Sequence, residues 1–212
     1  MKTPDHSAAR SALARLTARR GVSDPLVLAA VAEVPRHLFI PERFRESFDP
    51  YGDHPGPIGE GQTISQPSLV AYMSEWLRPG PGRRILEVGL GSGYQAAILA
   101  ATGAEVCGVE LIPALARHAR RVLDELGYGG VKIRVGDGAR GWPEQAPFDG
   151  IVASCAPERI PPPLLEQLGE GGRMIIPVGS PTGRLVRVER RDGEFEMTPD
   201  LPVRFVPLRE RA

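Results

Sequence analysis

The chain has no excess of either charge, since its 212 residues contain 26 lysines and arginines and 26 aspartates and glutamates. Proteins that bind the phosphates of nucleic acids usually carry a basic excess, so we expect no nucleic-acid partner. Lysine is rare: Lys2 lies near the start, and Lys132 opens a predicted strand. We therefore expect no Schiff-base lysine.

Metal ligands and membrane segments are also sparse. The four histidines are scattered without the spacing of zinc ligands, so no metal site is predicted. Cys107 and Cys155 fall in apolar, strand-like segments, which favours buried, reduced thiols. No apolar run approaches the roughly 20 residues of a membrane span, and the N-terminus lacks the apolar core of a signal peptide. We expect a cytoplasmic protein with no membrane contact.

Helical periodicity dominates the first part of the chain. Residues 7–20 fit one helix, and residues 23–34 fit a second, with Asp24 as its N-cap and Pro25 at its first position. Residues 67–77 fit a third helix. Its predicted buried face contains Leu69, Met73, Trp76 and Leu77.

From residue 83 onward, apolar runs alternate with helical patterns. Strands are predicted at 83–88, 104–110, 131–137, 148–154 and 172–179. These runs lack alternation, as expected for parallel strands covered on both faces. Near the end of the chain, apolar and polar residues do alternate, and the pair Asp192-Gly193 is typical of a tight turn. This pattern predicts an antiparallel hairpin.

The pattern predicts one domain with a doubly wound α/β fold. Residues 1–78 would form N-terminal helices and a loop, residues 79–180 the α/β core, and residues 181–212 antiparallel strands. The loop reads YGDHPGPIGEGQTISQP over residues 51–67, with Ile58 and Ile64 as its buried-looking pair. Its glycines and prolines exclude a regular helix or a central strand. Long structured loops of this kind are more often functional than decorative.

A glycine loop follows the first predicted strand of the core, with Gly89, Gly91 and Gly93 in the sequence GLGSG. The dinucleotide-binding fingerprint would place its last glycine at Tyr94, and no Lys-Ser/Thr pair of a phosphate loop follows. Glu87, just before the glycines, would repel phosphate but suits a cation. The loop therefore indicates a ligand without a phosphate tail.

Acidic residues end the next two predicted strands. Glu110 is placed to accept hydrogen bonds from a ribose diol, and Asp137, followed by Gly138, could accept one from the exocyclic amine of a purine. Together with the glycine loop, these residues suit a nucleoside with a positively charged tail. S-adenosylmethionine is such a molecule, so we predict it as the cofactor.

From about Val31 to Leu208, the chain resembles the protein-L-isoaspartate (D-aspartate) O-methyltransferase family. The segments that carry the resemblance are VPRHLFIPE, PIGEGQTISQP, LEVGLGSGYQAAILA, VGDGARGWPEQAPFDGIV, GGRMIIPVG and LPVRFVPL. It implies a class I S-adenosylmethionine-dependent methyltransferase fold with a seven-stranded sheet, acting as a cytoplasmic monomer. The implied reaction methylates the α-carboxyl of L-isoaspartyl residues in damaged proteins and peptides, which starts repair through a succinimide.

The resemblance also assigns the opening loop to the active site. In the family, the segment that matches Gln62, Thr63, Ile64 and Ser65 lies across the site, against the cofactor, and Ser65 matches the serine usually given as catalytic. The implied substrate-binding residues are Ile58, Gly59, Thr63, Ser65, Val203 and Phe205. The last two belong to LPVRFVPL, which would line a peptide cleft, although a plain core strand fits equally well.

Methyl transfer to a carboxylate needs no general base, since a carboxyl group of free pKa about 4 is ionised at neutral pH. It needs desolvation and in-line placement. Thr63 and Ser65 can hold a carboxylate, and Gly59 and Gly61 let the backbone approach it closely. We therefore interpret Ser65 as a residue that orients the substrate and not as a covalent nucleophile.

Some positions depart from the family pattern: Gly56 before PIG, Leu90 in the glycine loop, and Ser154 and Cys155 where small, alanine-like residues are typical. Three alternatives stay open. The chain could methylate a normal aspartate in a dedicated modified peptide, although 212 residues leave little room for the extra domain that such relatives often carry. It could be a small-molecule O-methyltransferase, or a non-catalytic module that senses the cofactor, against which the intact loop with Ser65 argues.

Overall fold

The computed structural model describes residues 5–179 and 182–209. The helices of this part are α1 (Ser7–Arg19), α2 (Pro25–Glu33), α3 (Glu42–Arg45), α4 (Pro67–Trp76), α5 (Tyr94–Ala101), α6 (Pro113–Glu125) and α7 (Pro162–Glu166). The strands are β1 (Gly56–Gly59), β2 (Gln62–Ile64), β3 (Arg84–Val88), β4 (Glu105–Glu110), β5 (Lys132–Val135), β6 (Phe148–Ala153), β7 (Leu168–Val178), β8 (Gly183–Arg191) and β9 (Glu194–Val203).

Seven of these strands form one sheet in the order β5-β4-β3-β6-β7-β8-β9. The first five strands in that order run parallel, and β7, β8 and β9 pair antiparallel. The predicted doubly wound sheet with an antiparallel end is confirmed. Asp192 and Gly193 join β8 to β9 with φ of 52° and 80°, the left-handed conformations that a tight hairpin turn requires.

The N-terminal helices form a layer in which α2 packs against α4 and α5. Asp24 caps α2 as predicted, since its Oδ1 accepts hydrogen bonds from the N–H groups of Leu26 and Val27 at 2.8 and 3.1 Å. Pro25 occupies the first helical position, where its missing N–H costs nothing. The sequence therefore specifies the start of this helix locally.

The predicted apolar face of α4 packs against the core. Met73 and Leu77 are fully buried, and Leu69 and Trp76 are half-buried against the same cluster. Trp76 also lies between the guanidinium groups of Arg173 and Arg187, which are 4.6 and 4.7 Å from its ring centre. Stacked cations therefore cover part of this indole, which the helical pattern did not predict.

Both cysteines, Cys107 and Cys155, are buried free thiols, as the sequence predicted. Among residues 5–179 and 182–209, no helix combines the length and the apolar character that crossing a membrane would require.

Candidate active site

A cavity opens at the carboxyl ends of β3, β4 and β6. Ligands of doubly wound sheets bind at this edge. The predicted cofactor residues in its lining are Gln62, Thr63, Ile64, Ser65, Glu87, Gly89, Gly91, Glu110 and Gly138. The sequence therefore identified most of one side of the cavity.

The glycine loop is held in place by the carboxylate of Glu110. Its Oε2 accepts a hydrogen bond from the N–H of Gly91 at 2.7 Å, and its Oε1 accepts one from the N–H of Ile112 at 2.8 Å. The carboxylate is buried, yet it still borders the cavity. The sequence predicted Glu110 as a ligand of the cofactor, and the structure shows that its carboxylate fixes the glycine loop.

Glu87 is the other carboxyl group of the cavity and is only 1% exposed. The hydroxyl of Ser154 donates a hydrogen bond to its Oε1 at 3.1 Å, whereas Oε2 has no partner within the described part of the chain. Burial raises the pKa of Glu87 well above its ordinary value. A cationic group in the cavity would supply the missing partner, which fits the ammonium of a bound S-adenosylmethionine.

Two predicted cofactor residues lie outside the lining. Gly93 begins α5 with φ of 86°, and a Cβ built there would lie 3.1 Å from the Cβ of Ala119. Its role is therefore to let α5 pack against α6. Asp137 caps a short 3₁₀ turn, since its Oδ1 accepts a hydrogen bond from the N–H of Ala139 at 2.9 Å.

The opening loop contains a small antiparallel hairpin, which the sequence analysis did not foresee. β1 and β2 pair around Glu60 and Gly61, whose φ values of 53° and 69° form a tight turn. Ile58 and Ile64 are buried as expected. The hairpin presents Thr63 to the cavity, so the glycine-rich loop is an ordered wall.

A second cleft lies on the other side of this wall. Thr63, Ser65, Ser154 and Val206 line both spaces. Val203 and Phe205, predicted from the LPVRFVPL segment, line the second cleft. The two spaces therefore meet at a wall that carries three hydroxyl groups.

Ile58 and Gly59, predicted to bind substrate, line neither space. Ile58 is buried, with its Cδ1 3.4 Å from where a Cβ of Gly91 would lie, so it supports the glycine loop from beneath. Gly59 faces the guanidinium of Arg43, which is 2.7 Å from the position of a Cβ there. Ile58 therefore supports the glycine loop from outside both spaces.

Within the described part of the chain, no base is hydrogen-bonded to Ser65. Its hydroxyl makes no hydrogen bond with any residue in 5–179 or 182–209, and neither does the hydroxyl of Thr63. A serine nucleophile is normally activated by a hydrogen-bonded base. Two unpaired hydroxyls are instead suited to donating to a carboxylate.

The C-terminal segment is pinned along the edge of both spaces. The N–H of Ala156 donates to the carbonyl of Val206 and the N–H of Leu208 donates to the carbonyl of Ala156, both at 2.8 Å. The strand-like pattern of this segment is therefore used for pairing within the chain.

The sequence analysis missed one whole wall of the cavity, formed by Leu111, Ile112 and Leu115. The signal that could have revealed it is the position of these apolar side chains, directly after β4 and on the first turn of α6. Tyr94 and Gln95, at the start of α5, also line the cavity.

A mostly parallel seven-stranded sheet with a glycine loop and a carboxylate at the ends of its adjacent strands defines the class I S-adenosylmethionine-dependent methyltransferases. A sequence model of the protein-L-isoaspartate (D-aspartate) O-methyltransferase family matches residues 8–212. The chain belongs to that family.

Curated relatives agree over most of the chain. It is 54% identical over 191 residues to a protein-L-isoaspartate O-methyltransferase of Gloeobacter violaceus, covering 89% of this chain and 92% of that protein. It is 50% identical over 200 residues to protein-L-isoaspartate O-methyltransferase 1 of an Anaeromyxobacter species, covering 92% and 93%.

Solved structures agree as well. One protein-L-isoaspartate O-methyltransferase superposes with a TM-score of 0.84 at 31% identity over 93% of this chain, which spans 65% of the length of that solved chain. A Plasmodium falciparum protein described as a putative member of the same class, solved with S-adenosyl-L-homocysteine, superposes with a TM-score of 0.81 at 26% identity. That match covers 95% of this chain and 99% of the other.

Proposed function

We propose that this chain transfers a methyl group from S-adenosylmethionine to the α-carboxyl of L-isoaspartyl residues in damaged proteins and peptides, which initiates their repair. The observation that carries the proposal is the wall of hydroxyls between two spaces, one suited to the cofactor and one open to a peptide. Membership of the family and relatives of that activity support it.

The cofactor residues fit a cationic nucleoside. We assign the unpartnered oxygen of Glu87 to its ammonium, and we assign Glu110, with the backbone of Gly89 and Gly91, to the ribose side. Gln62 and Ile64 close the cavity from the hairpin, and Gly138 borders it from the end of the third parallel strand. When bound, the cofactor supplies an electrophilic methyl group on its sulfonium.

The hydroxyls of Thr63 and Ser65 hold the substrate carboxylate on the peptide side of the wall. They donate hydrogen bonds without taking a proton, because the attacking carboxylate is already ionised. Ile58 and Ile64 of the hairpin are buried beside them. Exclusion of water when both ligands are bound would make the ionised carboxylate more reactive. Ser65 therefore orients the carboxylate and forms no covalent bond with the methyl group.

The chemistry after methyl transfer belongs to the product peptide. The backbone nitrogen that follows the esterified residue attacks the ester carbonyl, expels methanol and forms a succinimide. Water then opens the ring to a mixture that contains normal aspartate. We further propose that the chain acts as a cytoplasmic monomer without nucleic-acid or membrane partners. The equal numbers of acidic and basic residues support the absence of a nucleic-acid partner, and the two buried free thiols support a reducing compartment.

The test is a methylation assay read by mass spectrometry. The purified protein is incubated with S-adenosylmethionine and either of two peptides that differ only in isoaspartate against aspartate. We expect the isoaspartyl peptide alone to gain one methyl group and then to lose it through the succinimide, with partial return to aspartate. A cofactor-bound protein that methylates neither peptide would contradict the proposal, and methylation of the aspartyl peptide alone would redirect it to a normal side chain.

A further inference from the structure

Ser154 sits where the two spaces meet. It follows the last residue of β6, and its N–H donates to the carbonyl of Val88 at 2.8 Å, which fixes its backbone at the carboxyl end of β3. Its side chain lines both the cofactor cavity and the second cleft. It is thus the third hydroxyl of the wall, beside those of Thr63 and Ser65.

The hydroxyl of Ser154 differs from the other two in its bonding. It donates its one proton to Oε1 of Glu87 at 3.1 Å, whereas the hydroxyls of Thr63 and Ser65 make no bond to any described residue. A serine hydroxyl has one donor and two acceptor lone pairs, so its remaining capacity is to accept. Ser154 is therefore suited to an N–H group, while Thr63 and Ser65 are suited to a carboxylate.

We propose that Ser154 is a positioning residue that links cofactor binding to peptide binding: it donates to Glu87 and accepts a hydrogen bond from a backbone N–H of the bound peptide. This inference rests on the function proposed above. The ionised form of Glu87, which pairs with the cofactor ammonium, holds the hydroxyl proton and turns the oxygen lone pairs toward the cleft. Loss of the Ser154 hydroxyl should then weaken both sites.

The pH dependence of cofactor binding reports the charge of Glu87. It should not change if Ser154 only fills space. Burial raises its pKa, and the hydrogen bond from Ser154 opposes that effect, as does the backbone N–H of Ala96. The other titratable or charged groups that line the cavity are Glu110, whose charge also raises this pKa, the phenol of Tyr94, the thiol of Cys155, and Arg209 at the C-terminal edge. Removal of the hydroxyl should raise the pKa of Glu87 further, so cofactor binding would be lost at a higher pH.

The experiment compares the wild-type chain with Ser154→Ala, Ser154→Thr and Ser47→Ala. Calorimetry gives the dissociation constant of S-adenosyl-L-homocysteine from pH 5 to 9, and steady-state methylation of the isoaspartyl peptide gives KM and kcat. For Ser154→Ala we expect a peptide KM about three- to tenfold higher and a midpoint of cofactor binding about one pH unit higher, the scale of one lost hydrogen bond. Ser154→Thr keeps the hydroxyl and should stay near wild type in both.

Ser47→Ala removes an exposed hydroxyl that donates to the carbonyl of Phe44 and lines neither space, so it should leave KM and the midpoint unchanged. A wild-type peptide KM and a wild-type midpoint in Ser154→Ala would overturn the inference, and so would an equal midpoint shift in Ser47→Ala. Circular dichroism establishes that each variant is folded. A wild-type chain that binds the cofactor but methylates no isoaspartyl peptide would instead overturn the proposed function, so the two failures can be told apart.

Discussion

The guanidinium of Arg36 lies 4.8 Å from the ring centre of Tyr94, and this contact joins the N-terminal layer to the cofactor cavity that Tyr94 lines. Arg36 is fully buried, and its Nε donates to the carbonyl of Pro50 at 3.0 Å at the start of the active-site loop. Burial lowers the pKa of Arg36 to about 10 and raises the pKa of Tyr94 to about 12. One buried cation therefore supports the loop and the cavity together.

Replacing this cation should destabilise the chain. Arg36→Met keeps most of the side-chain volume but leaves the carbonyls of Pro50 and His54 without their donor. We expect the free energy of unfolding to fall by about 2–4 kcal/mol, measured by chemical denaturation. The exposed Arg15→Met is the matched control and should change it by less than about 0.5 kcal/mol. Equal effects of the two substitutions would contradict the supporting role of Arg36.

Gly93 should tolerate no side chain, because it combines φ of 86° with a near neighbour. A Cβ there would lie 3.1 Å from the Cβ of Ala119, whereas one at Gly127, with φ of 84°, would have nothing within 4 Å. Gly127→Ala should cost about 1 kcal/mol of stability from backbone strain alone. Gly93→Ala should cost about 1–3 kcal/mol more, because it also forces α5 and α6 apart. Thermal denaturation of the two variants measures their stabilities. Equal losses of stability in Gly93→Ala and Gly127→Ala would show that the packing at Gly93 is not tight.

Glu110→Gln tests whether this carboxylate organises the cofactor loop. The amide can accept only one of the two backbone hydrogen bonds that the carboxylate accepts from Gly91 and Ile112. We expect the dissociation constant of S-adenosyl-L-homocysteine to rise about ten- to a hundredfold by calorimetry. Glu105→Gln, at the exposed start of the same strand, should bind as wild type does. An unchanged affinity in Glu110→Gln would refute this role.

Ser65→Ala distinguishes an orienting hydroxyl from a nucleophile. Loss of one hydrogen bond to a charged carboxylate should lower kcat/KM for the isoaspartyl peptide about ten- to a hundredfold and leave measurable turnover. Thr63→Val should act in the same direction. Activity that falls to the level of a reaction without enzyme, or a methylated Ser65 in the mass spectrum of the protein, would contradict the orienting role.

His37 should make the chain less stable in mild acid. Its Nδ1 lies 2.7 Å from the hydroxyl of Tyr51, and burial, followed by the nearby charge of His6, lowers its pKa to about 4. An unfolded histidine has a pKa near 6.5. As the pH falls from about 6.5 to 4, the unfolded chain therefore binds a proton at this position, whereas the folded chain does not. The free energy of unfolding should therefore decline over this window.

His37→Gln should flatten part of that decline, and urea denaturation at pH 7 and pH 4.5 measures it. The pKa of His118 is also lowered by burial, so some slope should remain in the variant. An identical pH slope in the wild-type chain and in His37→Gln would contradict the assignment.

Local chemistry made much of the fold readable from the sequence. The Asp24 cap, the Asp192-Gly193 turn and the parallel strands each depend on neighbours in the chain, and all three were predicted correctly. The expectation that the parallel strands are covered on both faces is wrong for β5, which lies at the edge of the sheet and is largely exposed. The division into sections 1–78, 79–180 and 181–212 of a single domain stays a prediction. What the sequence could not show depends on distant partners: Trp76 is partly covered by Arg173 and Arg187, which lie about a hundred residues away in the chain.

The residues of the site could likewise be predicted only where their positions depend on local sequence or on the topology of the sheet. The strand-end positions of Glu87, Gly91 and Glu110 follow from topology, so the sequence could place them. Asp137 also ends a strand region, but its side chain turns back to cap the next residues. Ser154 lines both spaces only because the hairpin and the C-terminal segment come together in the fold. No local sequence pattern predicts that contact.

The most direct test of the central claim is the distance between two bound atoms in a crystal of this protein with S-adenosyl-L-homocysteine and an isoaspartyl peptide. We predict the cofactor sulfur in the first cavity and the peptide carboxylate at Thr63 and Ser65 in the second cleft. Sulfur and oxygen should be about 4–5 Å apart, which leaves room for one methyl group in near-attack geometry. A peptide bound elsewhere, or a carboxylate that does not face the sulfur across the wall, would contradict the account.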